Sequence, residues 1–400
     1  MGRVVLKYGG SSVATIEKMQ LLAPKILQRA ILGEQIVIVV SAMGNSTNHL
    51  LDLAKKASSH PPKREIDLLI STGEQVSISL FTMVLKEMGG DAIALTGFQA
   101  GIHTIGSHTK NKIKEIDTRV IEKHLEAGKI VVVAGFQGLN DEGDITTLGR
   151  GGSDTTAVAI AAKLHTHAEI YTDVDGIYGV DPRLFPQAKK INTITYEEMK
   201  EMAFLGAKVM EPRSIEIGHR YGVKIYVASA HGDVAGTWIM EESPVEEKQI
   251  TGLSISQKVV MVTLRNVPNK PRVIADLFAA LAQNEVNVDI ISKTTSIQDL
   301  INVAFTASSD DFEAIETVVQ SIQKNIPSIE PYYESNIVKV SVVGTGMRTQ
   351  SGVAAKLFTL LADHDIEFKL VTTSEISISY TMDKSYQEIA VQVIASAFGL

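Results

Sequence analysis

The chain has 400 residues, of which 44% are hydrophobic, with a formal charge of -8 and no cysteine. That length exceeds one ordinary core and predicts two or three domains, while the apolar fraction excludes a largely disordered chain. The charge is spread without long single-sign blocks, which argues against a nucleic-acid surface or a polybasic membrane face, and the lack of cysteine excludes disulfides, thiol nucleophiles and Cys-based metal sites.

Residues 3–8 alternate and run into Gly9-Gly10-Ser11-Ser12, the pattern of a strand ending in a glycine turn. Only a few residues precede Lys7, which leaves no signal-peptide hydrophobic region, and no uninterrupted apolar run approaches the roughly 20 residues of a membrane helix. A cytoplasmic protein is expected. From Ile16 to Ile31 the apolar positions keep helical spacing, and Gln35-Ile36-Val37-Ile38-Val39-Val40 reads as a strand buried on both faces. Strand, helix and strand form a βαβ unit whose loops open at the C-terminal edge of a parallel sheet. Two of these loops are polar, Lys7 to Ser12 and Ser41 to Thr47, yet neither is a Walker A loop and no well-placed GxGxxG follows a strand.

Residues 64–88 read as largely helical, interrupted by Ser71-Thr72-Gly73-Glu74. Strands are predicted at 91–96 and 129–134 and a helix near 117–127. Next comes the stretch 146–156, Thr-Thr-Leu-Gly-Arg-Gly-Gly-Ser-Asp-Thr-Thr, which leads into an alanine-rich helix at 153–163. A glycine turn at a helix N-terminus can aim backbone N–H groups and the positive dipole end at an anion; a tight loop capped by Ser153 or Asp154 is the plain alternative. A strand at 168–172 precedes the acidic loop 173–183, in which Asp173 and Asp175 read either as turn residues or as metal ligands, since the EF-hand pattern is not completed. Helices near 195–203 and 212–221 and a last strand at 224–227 close this region.

The polar, proline-containing stretch 241–248 marks a domain boundary. Beyond it the order strand, helix, strand, strand, helix occurs twice, at 259–323 and 337–397, which predicts two ferredoxin-like modules with a sensory or dimer-forming role. In the first domain the polar loops supply Lys7, Ser41, Thr47, Glu74, Arg150, Ser153, Asp154, Thr172, Asp173, Arg183 and Lys208. Phosphoryl transfer needs cations beside the moving phosphate and a well-placed acceptor, and Lys7 and Lys208 can supply that charge. Arg150 can grip a carboxylate bidentately and Glu74 can meet an ammonium, so an acidic amino acid fits better than a neutral alcohol. Each lysine read alone is a solvated surface residue, and Glu74 read alone is a helix cap or surface acid.

Taken in order, Lys7 to Val13, Ser41 to Gly44, Ser71 to Glu74, Val133 to Gly138, Thr147 to Thr155, Tyr171 to Tyr178, Asp181 to Arg183 and Gly206 to Val209 resemble the aspartokinase family over essentially the full length. The resemblance implies an α/β amino-acid-kinase three-layer sandwich with a mostly parallel central sheet at 1–245. Two ferredoxin-like (βαββαβ) ACT domains would follow at 246–330 and 331–400, the leading segment near Ile250 to Ile255 completing the second. It implies transfer of the ATP γ-phosphate to the side-chain carboxylate of L-aspartate, the first step toward lysine, threonine and methionine. Lys7, Asp154 and Lys208 would be catalytic. Lys7, Tyr8, Gly9, Gly10, Ser11, Ser41, Thr172, Asp173, Tyr178, Arg183 and Lys208 would bind ATP, and Thr47, Glu74, Phe136, Arg150, Ser153 and Asp154 would surround aspartate. Magnesium would be held through the ATP phosphates and not directly by protein ligands. Asn287, Asp289, Ser374 and Glu375 would contact a lysine or threonine effector, with a homodimer or higher oligomer formed through the ACT domains. Arg272, Glu367 and Lys369 depart from the family pattern and imply an altered feedback response. A sister kinase acting on glutamate or N-acetylglutamate, and a catalytically silent amino-acid sensor, are the alternatives.

Overall fold

The computed structural model describes residues 2–207, 209–232, 234–241 and 249–400. They fall into two compact units, one built from 1–178, 190–204 and 208–246 and the other from 179–189, 205–207 and 247–400. The predicted boundary stretch lies mostly at 242–248, outside the described residues.

In the first unit β1 (Arg3–Tyr8), α1 (Ile16–Ile31) and β2 (Gln35–Val40) form the βαβ unit at the expected bounds. Thr15 caps α1, its hydroxyl accepting from the Lys18 N–H. α2 (Ser46–Ala57) was not anticipated, and it buries no residue fully. α3 (Lys63–Ile70) and α4 (Thr72–Glu87) are separated by Ser71 alone, because Thr72, Gly73 and Glu74 already form the first turn of α4. The stretch Lys63–Glu87 is long and apolar enough to cross a membrane by length and composition, but 56% of its apolar window is buried inside the protein, as in a core helix.

β3 (Ala92–Leu95) is followed by β4 (Ile102–Ile105), β5 (Lys112–Ile116), α5 (Arg119–Glu126), β6 (Ile130–Ala134), β7 (Gln137–Leu139) and β8 (Ile145–Thr147). Then come α6 (Gly152–Lys163), β9 (His167–Thr172), β10 (Ile177–Tyr178), β11 (Lys190–Ile191), β12 (Thr193–Ile194), α7 (Tyr196–Phe204), α8 (Pro212–Tyr221), β13 (Ile225–Ser229) and β14 (Thr237–Ile239). The central sheet runs β12-β14-β13-β9-β1-β2-β6-β3, with β13 through β3 parallel and β14 antiparallel to β13. The strand at 224–227 is therefore not the last. β14 was missed because three residues carry too short a period to read.

Side-chain alternation explains the three layers. Val4, Leu6, Ile36, Ile38 and Val132 join Met19, Leu22, Phe81 and Leu85 of α1 and α4 in one core. The intervening Val5, Val37, Val39, Val131 and Val133 are fully buried on the other face, where α6 packs on β1 and β2. Residues 152–161 of α6 are all buried, and its small side chains let a helix without a polar face lie between sheet and α8. A second sheet, β5-β4-β7-β8, follows β6; its short, partly polar strands gave no alternation to read.

The second unit holds two four-stranded antiparallel sheets. The first module comprises β16 (Val259–Pro268), α9 (Pro271–Gln283), β17 (Val288–Lys293), β18 (Leu300–Ser308), α10 (Phe312–Asn325) and β19 (Glu330–Glu334), in sheet order β17-β18-β16-β19. Its last strand therefore runs past residue 330, to Glu334. The second comprises β20 (Ile337–Val343), α11 (Val353–Asp363), β21 (Phe368–Thr373), β22 (Ser377–Asp383) and α12 (Gln387–Phe398). Its fourth strand is β15 (Gly252–Ser256), which precedes the first module in sequence and pairs with β20 in the register Ser254 to Ser341. Each module buries its helices against one face of its sheet.

One polar network ties the first unit together. Arg29 of α1 donates two bonds to Glu169 of β9, at 2.7 and 2.9 Å, while the Tyr171 hydroxyl donates to the same carboxylate at 2.7 Å and His167 lies 3.1 Å from it. Burial alone would raise the Glu169 carboxyl. The bonds from His167 and Arg29, the Arg29 charge and the Tyr171 hydroxyl outweigh it and hold the group down at about 2. A depressed carboxyl contributes stability above its unfolded value and loses it as pH falls toward 2. Replacing Glu169 by Gln should flatten the acid limb of the stability curve by about 3 kcal/mol between pH 5 and 2, read from urea melts; parallel curves for the two proteins would refute the shift.

Candidate active site

The site is built where β1, β2 and β6 end. After β1 the chain turns at Gly9, whose N–H donates to Tyr171 O at 3.1 Å, and at Gly10, whose carbonyl accepts from Gly44 N at 2.9 Å. A Cβ on residue 10 would lie 2.6 Å from Ala42 O, so the loops after β1 and β2 can touch only with glycine there. Ser41, at the start of the second loop, donates its N–H to Tyr8 O at 3.2 Å. After β6, Phe136 holds a left-handed backbone (φ 69°), fixed by its N–H on the Thr156 hydroxyl at 3.1 Å and its carbonyl on Leu148 N at 2.9 Å. Gly151, with φ 65°, caps α6 and sits against the Glu211 side chain, which a Cβ would meet at 2.4 Å.

Charge is concentrated at this junction. Lys7 Nζ lies 2.5 Å from Asp154 Oδ1, joining the end of β1 to the first turn of α6, and both residues are under 10% exposed. Asp154 also complements the positive end of α6. Glu74 is 3% exposed; its Oε1 accepts from Ala42 N at 3.0 Å, while its Oε2 is buried without a partner. Burial raises the Glu74 carboxyl to about 8 against the pull of the Ala42 N–H. At neutral pH the group is mostly protonated, and a cation brought to Oε2 would favour its carboxylate form. Ser153 is buried beside Gly135, and Gly152 packs on Phe136. Thr47 is half-buried in the first turn of α2. Arg150 is exposed at the loop tip and has no ion-pair partner among the described residues.

Other expected residues are placed less directly. The Tyr8 side chain stacks on Tyr171, with ring centroids 5.1 Å apart, and is buried in the core, so only its backbone is available to a ligand. Ser11 is exposed, its carbonyl accepting from Lys18 Nζ at 2.8 Å. The Thr172 hydroxyl donates to Asp173 at 3.0 Å, and Tyr178 donates to Asp175 at 2.9 Å. Arg183 belongs to the second unit, where it pairs with Asp181 at 2.7 Å. Lys208 lies outside the described residues. Among the described residues no group of three His, Asp or Glu side chains could hold a metal ion. In the second unit Asn287 is exposed, and Asp289 takes the ammonium of Lys339, which is 4% exposed on the facing module. Ser374 and Glu375 lie in the turn before β22, where Ser374 Oγ accepts from Ser377 N at 3.0 Å and Glu375 pairs with Arg348 at 3.2 Å.

Three residues carry the site without belonging to any motif. Asp67 of α3 is fully buried and accepts from the Thr109 N–H, the Thr147 hydroxyl and His108, so it anchors the root of the 148–154 loop. Glu211 and Arg213 meet the same loop from α8. An acid at position 67, between Ile66 and Ile70 on a helix, was the one readable signal.

At one edge of the sheet the glycine loops gather a lysine, a paired acid and an unpaired acid, and the amino acid kinase family model matches residues 2–229, with an ACT domain model at 340–398. The chain is 44% identical to an aspartokinase of Bacillus sp. (strain MGA3), covering 100% of this chain and 98% of that one. It is 43% identical to aspartokinase 2 of Bacillus subtilis (strain 168), with the same coverage. In fold it matches the crystal structure of E. coli aspartokinase III in complex with aspartate and ADP, with a TM-score of 0.82 at 24% identity over 99% of this chain and 100% of that one. The chain belongs to the aspartokinases of the amino acid kinase family.

The unpartnered Glu74 carboxyl yields a prediction on the ligand-free protein. Its folded value near 8 lies above the unfolded value near 4.5, so stability declines as pH rises between the two. Glu74→Gln should remove that slope and raise stability by up to about 4 kcal/mol at pH 8, with little change at pH 4. Denaturant melts at the two pH values measure this, and an unaltered slope contradicts the shift.

Proposed function

We propose that this edge of the sheet phosphorylates the side-chain carboxylate of L-aspartate with ATP, the first step of aspartate-family amino-acid biosynthesis, with the roles divided as follows. Lys7, with the Gly9-Gly10 turn, faces the transferred phosphate together with Lys208, while Tyr8 (through its backbone), Ser11, Ser41, Thr172, Asp173, Tyr178 and Arg183 serve the nucleotide. Thr47, Glu74, Phe136, Arg150, Ser153 and Asp154 hold aspartate. The observation that carries this reading is the pair of acids at the loop junction: Asp154 is neutralised by Lys7, whereas Glu74 is buried with one oxygen unpartnered. A ligand bearing both an ammonium for Glu74 and a carboxylate for Arg150 completes the second acid and uses the free guanidinium.

The acceptor carboxylate is ionised at neutral pH, since its reference pKa is about 4, so attack on the γ-phosphate needs no base. Catalysis then rests on alignment and on compensation of developing charge by Lys7 and Lys208. Asp154 fixes the Lys7 ammonium at the strand end. Magnesium would ride on the ATP phosphates, taking most of its oxygens from nucleotide and water.

Residues 1–245 form the kinase domain in this reading, and 246–330 and 331–400 the two ACT domains, with β15 completing the second. The ACT pair forms a homodimer or higher oligomer, and the protein is cytoplasmic. Asn287, Asp289, Ser374 and Glu375 contact a lysine or threonine effector. Asp289 already holds an internal ammonium, and Arg272 and Lys369 are engaged with Asp276 and Glu334. Feedback is accordingly narrowed.

ATP turnover with L-aspartate, L-glutamate and N-acetylglutamate in parallel separates the readings: turnover with aspartate alone is expected, turnover with either other acid favours a sister kinase, and none at all favours a silent sensor. Arg150→Ala should raise the aspartate KM by about tenfold or more with a smaller change for ATP, whereas Lys7→Ala should lower kcat by about a hundredfold or more. Equal losses toward both substrates in Arg150→Ala would remove the assigned role. Titrations of lysine and threonine should show a weakened or single-effector response, and tight inhibition by both would contradict narrowed feedback.

A further inference from the structure

Arg213 lies in the first turn of α8 and is half-buried, and its Nη1 donates to two carbonyls, Asn111 O at 3.1 Å and Leu148 O at 3.0 Å. These belong to different loops. Leu148 leads directly into Gly149, Arg150 and Gly151, while Asn111, 1% exposed, closes the 107–111 turn with its own N–H on Thr147 O at 3.0 Å. One guanidinium nitrogen therefore ties the root of the loop that carries Arg150 and Asp154 to the 107–111 turn. Glu211, two residues before, packs on Gly151 and feels both Arg213 and Asp154.

The loop is also held by Asp67 through Thr147, by the buried Leu148 side chain and by Glu211 against Gly151. A cavity of about 780 Å³ opens beside Arg213, bordered also by Lys112, Thr155, Phe204, Glu211 and Glu216. Apolar packing can hold a loop only where side chains fill the volume behind it. On this flank Arg213 supplies the polar link from Leu148 to the 107–111 turn.

We propose that Arg213 is a positioning residue for the acceptor side of the reaction: by clamping the Leu148 and Asn111 carbonyls it sets the height of the 148–154 loop, and through it the reach of Arg150 toward the substrate carboxylate. This rests on the assignment of Arg150 to aspartate. Orientation is steep in distance, since a misplacement of about 1 Å can cost on the order of a hundredfold in rate. A lysine in the same place has several donors on a flexible stem and can regain one or both carbonyls without the planar fork.

Steady-state kinetics of Arg213→Ala, Arg213→Lys and Arg150→Ala in the full chain, with thermal melts of each, test this. Arg213→Ala should raise the aspartate KM by about tenfold while the ATP KM moves less than about threefold, and Arg213→Lys should recover most of the loss. If Arg150→Ala raises the aspartate KM and Arg213→Ala does not, the positioning role is overturned. A loss in Arg213→Ala that is equal for both substrates and tracks a lowered melting temperature overturns it as well. An unchanged aspartate KM in Arg150→Ala overturns the acceptor assignment and the inference with it.

Discussion

The contact between Lys7 and Asp154 sets the terms for everything around it. Each group is nearly buried, and removing an ion from water costs several kcal/mol unless an opposite charge is met at close range. The end of β1 and the first turn of α6 must therefore arrive at the same point. β1 reaches that point from within the central sheet, with β2 and β9 fixing its register on either side. α6 is made of small residues that let it lie close on the strands. The glycines at 10 and 151 serve the same end, since a side chain at either would push the converging loops apart.

Against this ion pair stands Glu74, a few residues into α4 and equally enclosed, yet with no ion-pair partner among the described residues and one oxygen without a hydrogen bond. A protein that neutralises one acid and leaves its neighbour short of a cation has stored an electrostatic preference that a ligand can collect. Paired buried polar groups recur in the second unit. There the small hydroxyls of Ser341 and Ser379 bond to one another across neighbouring strands, and the buried ammonium of Lys339 is matched by Asp289 of the other module. Buried charge pairs of this kind favour a particular register between sheets, because any other register strands a charge.

Much of the architecture could be read directly. α1, β1, β2 and α8 fall at their expected bounds because each has a long, unmixed period, and the repeated strand and helix order beyond residue 259 revealed two modules. The second sheet of the first unit, β14 and β19 escaped notice because strands of three to five residues with polar positions carry no alternation. α2 escaped because it buries no side chain fully. Ordered motifs located Lys7, Glu74, Arg150 and Asp154, but nothing in the local pattern marked Asp67 or Arg213. Their partners lie tens of residues away along the chain, at Thr109 and Thr147 and at Asn111 and Leu148.

The sequence by itself determined which chemistry is present: glycine loops at strand ends, cations for phosphate, a guanidinium for a carboxylate, and the family those motifs describe. Only the tertiary structure decided which charges are spent and which are free. Residue type sets what a group can do, whereas its pairing and its proton affinity depend on how far water has been removed and on what stands within about 4 Å. Those distances are fixed when β1, α4 and α6 pack together.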